Sequence, residues 1–359
     1  MTWITPKYSK LEINQAGKIL TNDRSPEEKK DEATEILDNW RASHSYPMHV
    51  FKIRLKNKAV LVDPKSITVQ RLKRVPAIVK KLKRSYGGHA PSMKLFQMQD
   101  IGGCRAVLSN VKLARELCDK YYLKSDLKHK RVGQKDYITN PKKDGYRSIH
   151  LIYQYVSDKR KKEFNGLLVE IQIRSKLQHL WATAVETVDF FTRQAIKSNE
   201  GQEEWMEFFK LVSSAFAKIE GCPTVPNTPD DEKTLYFQIR KKEEELNVIK
   251  KMEGWMTAVR VFEHEQKRKR TTKAQYFLLE LDIRGGKLSV TSYNKNEEMK
   301  AIKDYAESEK KNKDMKEYDV VLVGADKSTD LKKAYPNYFV DSGEFLATFK
   351  GFINKYQST

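Results

Sequence analysis

Gly166-Leu167-Leu168-Val169-Glu170-Ile171-Gln172-Ile173-Arg174-Ser175 is the stretch that decides the fold. Side chains alternate across a strand with period two. Leu167, Val169, Ile171 and Ile173 therefore share one face, and Leu168, Glu170, Gln172 and Arg174 share the other. The apolar face suits a sheet packed on a core. The opposite face sets out a carboxylate, an amide and a guanidinium in a row, although an edge strand with a polar outer face shows the same pattern.

Working outward, Tyr146–Tyr155 alternates too, with Ile149, Leu151, Tyr153 and Tyr155 opposite Ser148, His150 and Gln154. Ahead of it stands Lys142-Lys143-Asp144-Gly145-Tyr146, a basic turn whose glycine permits close backbone approach and whose tyrosine can stack on a base. Gly102–Leu108 (GGCRAVL) predicts a short buried strand entered from Asp100. Two carboxylates on neighbouring strands suit Mg²⁺, which is held by one or two carboxylates plus substrate phosphate oxygens. Further expectations are a strand near Ser66–Gln70, a basic helix from Pro76, a helix over Lys112–Tyr121 and one of about four turns from Lys176. Ser25-Pro26-Glu27-Glu28 reads as a capping box opening a helix toward Trp40. His179, Thr183 and Glu186 line one side of the helix after Ser175, with Glu186 readable as merely structural.

Of 359 residues, 68 are Lys or Arg and 48 Asp or Glu, a net charge of +20. Residues 1–220 hold +17 of it and residues 221–359 the remaining +3. Such asymmetry predicts an anionic partner for the first part, polyphosphate or nucleic acid. No apolar run is long enough for a membrane span, and the first twenty residues hold no secretory apolar stretch. Three scattered cysteines make no disulfide framework, so the expected location is the cytoplasm.

Gly221–Asp231, with three prolines, reads as a linker, followed by a charged helix over Glu232–Lys251. Strands near Tyr276–Asp282 and Lys287–Tyr293 around Arg284-Gly285-Gly286, a helix near Asn296–Ser308, a strand at Tyr318–Val323 and two short terminal helices complete the reading. The expected domains are 1–220, 221–270 as linker and connecting helix, and 271–359.

The runs Gln99–Arg105, Asp144–His150 and Glu170–Arg174 resemble the synthetase domain of the RelA/SpoT family, over roughly Tyr46–Val188. That resemblance implies an α+β fold, a nucleotidyltransferase-like mixed sheet flanked by helices, and transfer of pyrophosphate from ATP to a ribose 3′-hydroxyl. It implies that Asp100 and Glu170 hold Mg²⁺, with Glu170 the base, and that Arg105 packs on the ATP adenine. Arg71, Lys73 and Lys81 would contact the triphosphate. Tyr146 would stack on the acceptor base, with His150, Lys143 and Arg174 beside the acceptor.

His179–Glu186 and Met98–Arg105 look like the toxic small synthetases, whose acceptor is the 3′-terminal adenosine of tRNA. Asp144, where asparagine often sits beside an acceptor guanine, and the charge of the first part favour that CCA end over free GDP or GTP. Lys80–Arg84, Lys128–Arg131 and Lys159–Lys162 are candidate tRNA-binding patches. An alarmone synthetase acting on GDP/GTP, with a C-terminal sensor, is the alternative. Residues 271–359 resemble the pseudo-zinc-ribbon antitoxin domain of CapRel-type phage-defence proteins. With too few cysteines for a four-ligand zinc site, this domain implies restraint rather than metal binding. Tyr335 or Tyr338 would block the ATP site until a phage protein, such as a major capsid protein, releases it.

Overall fold

The structure, a computed structural model, describes residues 3–73, 75–85, 91–125, 127–194, 202–257, 274–282, 287–311, 318–324 and 338–355. Two compact units divide it. The first comprises Met1–Asn140 and Arg147–Lys176, the second Pro141–Tyr146 and Leu177–Thr359.

In the first unit, helices α1 (Lys10–Thr21), α2 (Glu27–Ser43) and α3 (Ser45–Val62) precede a five-stranded sheet. Strands β1 (Ile67–Leu72), β2 (Gly102–Leu108), β3 (Lys130–Asp136), β4 (Ile149–Gln154) and β5 (Leu168–Ser175) lie in the order β1-β2-β5-β4-β3. Only the β2–β5 pairing is parallel. This is the expected α+β mixed sheet. Its central strand is the one first quoted, and Leu167, Val169, Ile171 and Ile173 are all buried. So are Ile149, Leu151, Tyr153 and Tyr155 of the neighbouring segment. Helix α3 packs on β1 and β2, and α5 (Val111–Cys118) packs on β5. Helix α4 (Val75–Leu82) starts one residue before Pro76. Burial pushes the thiols of Cys104 and Cys118 up to about 12, which leaves them inert as nucleophiles.

Capping departs from expectation. Helix α2 has Pro26 at its N-cap and no side-chain cap, so Ser25 forms no capping box. The reciprocal box is at α1, where the Ser9 side chain and Glu12 satisfy each other's backbone N–H groups.

The second unit begins where β5 ends. Helix α6 (Lys176–Gln194) follows Ser175 directly, and α7 (Gln202–Ile219), α8 (Glu232–Leu246) and α9 (248–257) come next. A three-stranded antiparallel sheet, β7-β6-β8, is built from β6 (Ala274–Asp282), β7 (Lys287–Asn294) and β8 (Tyr318–Gly324). Helix α10 (Glu298–Lys311) lies against it, and α11 spans Tyr338–Lys355, with residues 325–337 outside the described residues. The expected turn at Arg284–Gly286 falls outside the described residues.

One apolar core joins α6, α7, α8, α9 and α11, with Leu180, Phe208, Phe216, Leu235, Met252, Phe345 and Phe349 all buried in it. Phe191 stacks on Trp255 at 5.0 Å, Tyr236 Oη donates to the Ile353 carbonyl at 2.6 Å, and Thr187 and Ser342 hydroxyls lie 3.1 Å apart. The apolar faces of α6 and α7 are covered by chain from beyond the proline-rich segment, which is why these helices fall in the second unit, after Lys176. The expected linker is held against α7. Val225 is buried, its N–H donates to Ser214 Oγ at 2.9 Å, and Lys218 Nζ reaches the Asp230 carbonyl at 2.7 Å.

Candidate active site

Strand register brings Arg71, Arg105, His150 and Glu170 onto one face of the first unit's sheet. Glu170 on β5 lies opposite Gly103 on β2 and Ile152 on β4, and Gly103 in turn lies opposite Arg71 on β1. One step along, Gln172 is flanked by Arg105 and His150, and His150 by Lys135 on β3. Four strands therefore contribute Lys135, His150, Gln172 and Arg105 to one row. Glycine at 103 leaves the neighbouring row open, since a Cβ there would meet nothing closer than the Glu170 carbonyl at 3.7 Å.

Glu170 accepts at both oxygens. His150 Nδ1–H donates to Oε1 at 2.9 Å and Gln172 Nε2 to Oε2 at 2.6 Å. Burial pushes this carboxyl up, yet the His150 bond and charge, then Gln172, bring it net below its usual value, against a raising effect of Asp100. The carboxylate is ionised at neutral pH and free to accept a proton. Gln172 is the hub of this network, because its Oε1 accepts from Arg105 Nε at 3.2 Å and from Arg174 Nη2 at 3.2 Å. Arg174, expected beside an acceptor, is buried and holds Gln172.

Asp100 is gripped from two sides. Lys73 Nζ lies 2.9 Å from Oδ2 and Lys81 Nζ 2.8 Å from Oδ1. Burial again pushes the carboxyl up, and Lys73 and then Lys81 more than offset it, so the net shift is downward. Lys73 is aligned by its backbone N–H to the Ile101 carbonyl at 2.8 Å, and Lys81 by the basic face of α4. Mg²⁺ fits this chemistry, since two ionised carboxylates raise each other's proton affinity and a dication between them would remove that repulsion. Asp100 and Glu170 are the residues that would hold it. Among the described residues, no group of three or more His, Cys, Asp or Glu side chains is arranged for a metal, so phosphate oxygens would have to complete the shell.

Tyr146 and Lys143 belong to the second unit. Gly145 takes φ +93°, and its carbonyl accepts from Ser213 Oγ at 2.6 Å. Lys143 is exposed on the turn, and it is Lys142 whose ammonium lies 4.8 Å from the Tyr146 ring centre. Tyr146 lines a cavity of about 310 Å³ with Trp181, Trp205, Asp144, Glu186 and Asp189. Glu186 Oε2 is buried without a hydrogen-bond partner among the described residues. Tyr335 lies outside the described residues, and Tyr338 opens α11 with its side chain outside them.

Sequence reasoning gives no role to Gln172, Lys135 or Lys142. Period-two alternation carries the signal for Gln172, which shares a strand face with Glu170, whereas Lys135 comes beside His150 only through the pairing of β3 with β4.

The site thus combines Glu170 on the central strand of a five-stranded mixed sheet with Asp100 in the turn before β2, and comparison shows what the chain resembles. Residues 70–190 match the family described as the region found in RelA / SpoT proteins. The match takes in about a third of the chain. The chain is 30% identical over 145 residues to the GTP pyrophosphokinase YjbM of Bacillus subtilis (strain 168), covering 39% of this chain and 66% of that protein. To the GTP pyrophosphokinase YwaC of the same organism it is 32% identical over 122 residues, covering 34% and 56%. The chain thus spans under two thirds of the length of these relatives. Among solved structures, the small alarmone synthetase 1 of Bacillus subtilis is similar at 26% identity and a TM-score of 0.42, covering 53% of this chain and 93% of that one.

Proposed function

We propose that the chain is an ATP-dependent pyrophosphokinase. An acceptor ribose 3′-oxygen attacks the β-phosphorus of ATP, the bond from that phosphorus to the α-phosphate oxygen breaks, and AMP leaves. The proton of the attacking hydroxyl passes to Glu170. The observation that carries this reading is the pairing of two ionised carboxylates, one bound by His150 and Gln172, the other by two lysines. Transfer of this kind asks the protein mainly for positioning and charge neutralisation. Lys73, Lys81 and Arg71 neutralise the triphosphate, Arg105 packs on the adenine, and bound Mg²⁺ would supply Lewis-acid charge at the phosphates.

The acceptor in this reading is the 3′-terminal adenosine of tRNA. Support comes from the +17 carried by residues 1–220, since a tRNA stem engages several phosphates where a nucleotide needs few cations. Lys80, Lys130 and Arg131 are exposed, whereas Lys83 pairs with Asp23 and Lys128 with Asp158. A free guanosine nucleotide is the second reading. Two observations favour it: the activity by which the relatives are named, and Glu186 and Asp189 of the Tyr146 cavity, carboxylates that suit a base edge that donates from N1 and N2. ATP labelled at the γ-phosphate, offered with bulk tRNA or with GDP and GTP, separates the two by which acceptor gains label. Label in neither with full-length protein carrying Tyr335→Ala and Tyr338→Ala, and ATP untouched, contradicts the proposed activity.

In the same reading residues 271–359 restrain the enzyme, Tyr335 or Tyr338 blocks the ATP site, and a phage protein such as a capsid protein releases it. Sequence resemblance supports this. Its test is Tyr335→Ala and Tyr338→Ala in the full chain, with higher basal transfer expected. Deleting residues 221–359 does not serve, because α8 and α11 complete the core around α6 and α7.

A further inference from the structure

We propose that Lys73 and Lys81 form a latch on Asp100 that keeps divalent cations out until a triphosphate arrives. This rests on the pyrophosphokinase reading and adds an order of binding to it. Each Asp100 oxygen is already bonded, Oδ1 to Lys81 at 2.8 Å and Oδ2 to Lys73 at 2.9 Å, and all three side chains are about four-fifths or three-quarters buried. Charge-assisted bonds of this length are the strong ones, and partial burial spares them much of the screening that weakens exposed pairs.

The charges decide the consequence. Two ammonium groups offset Asp100 and Glu170, so the site holds no net negative charge to draw in a lone dication, which must also compete with a charge-assisted bond at each Asp100 oxygen. A triphosphate reverses both conditions. Its oxygens compete for the two ammonium groups, and its own charge attracts the metal. Both lysines can follow, because each reaches Asp100 through a flexible four-carbon stem: Lys73 from the end of β1 and Lys81 from the last turn of α4. The two lysines then serve twice, first as counter-ions of Asp100 and afterwards as counter-ions of the donor. Metal and donor enter together.

The test uses the full chain without nucleotide and Mn²⁺ alone as the probe, with free Mn²⁺ followed by electron paramagnetic resonance. Lys73→Gln and Lys81→Gln are made separately, and each is combined with Asp100→Asn. Expected is weak Mn²⁺ binding by the wild type and binding tighter by roughly tenfold or more in each lysine variant, the gain expected from removing one charge-assisted bond. The Asp100→Asn partner should erase the gain. Wild-type affinity equal to that of the variants, or a gain that survives Asp100→Asn, overturns the latch. Because no transfer is measured, a failed latch leaves the pyrophosphokinase reading to its own labelling assay, and a failed labelling assay does not alter the Mn²⁺ result.

Discussion

Gly103 stands directly opposite Glu170 in the parallel pairing of β2 and β5, and the lane above it is open. A side chain there would project onto the face shared by Arg71 and Glu170. Gly103→Leu should leave thermal stability unchanged or slightly raised, since glycine weakens a strand interior. Pyrophosphate transfer should fall by about 100-fold, the scale of a misplaced substrate. Melting curves beside initial rates check both halves.

His150 positions Glu170 and holds its carboxyl down. In His150→Ala that bond and charge are gone, so the Glu170 carboxyl rises toward and past its usual value. The acidic limb of the rate profile should then move to higher pH, with the plateau lowered by roughly 100-fold. A profile unmoved on the pH axis would remove His150 from this role.

His44 gives stability its own pH dependence. It is fully buried, its Nδ1–H donates to the Trp40 carbonyl at 2.7 Å, and burial pulls its pKa from 6.5 to about 4. Below 6.5 the unfolded chain takes up the proton that the folded chain refuses. Stability therefore falls as pH drops from about 6.5 to about 4, by on the order of 3 kcal/mol in all. His44→Gln should flatten this window in urea titrations repeated across it.

Phe349 is buried in α11 and stacks on Phe345 at 5.8 Å. Phe349→Ala should cost about 3–5 kcal/mol, read as a lower urea midpoint with spectroscopic loss of helix. A replacement at an exposed position of the same helix, such as Asn354→Ala, should change little.

Legibility follows the range of the forces involved. Strands β2 and β5 are readable nearly to the residue, because alternation is local and Val169, Ile171 and Ile173 have one face to bury. Register does the rest, carrying His150, Gln172 and Arg105 into one row without further instruction. The boundary at Lys176 is not readable. It depends on Phe345 and Phe349 covering α6 and α7 from well over a hundred residues away, and an amphipathic helix does not declare its partner. Ser25 carries the letters of a cap while Ser9 forms one, since Ser25 and Glu27–Glu28 never reach the required geometry. Family resemblance assigns Lys73 and Lys81 to phosphate, and only side-chain placement reveals that both hold Asp100.

The most direct test of the central claim is the identity of the adenine nucleotide left behind. Full-length protein carrying Tyr335→Ala and Tyr338→Ala, which lifts the proposed restraint, is incubated with ATP, Mg²⁺ and the acceptor that gains label, and the products are separated by anion-exchange chromatography beside the same protein with Glu170→Gln added. The account predicts one AMP per modified acceptor when Glu170 is present and none when it is replaced. ADP as the product, or AMP formed equally well without the Glu170 carboxylate, would contradict it.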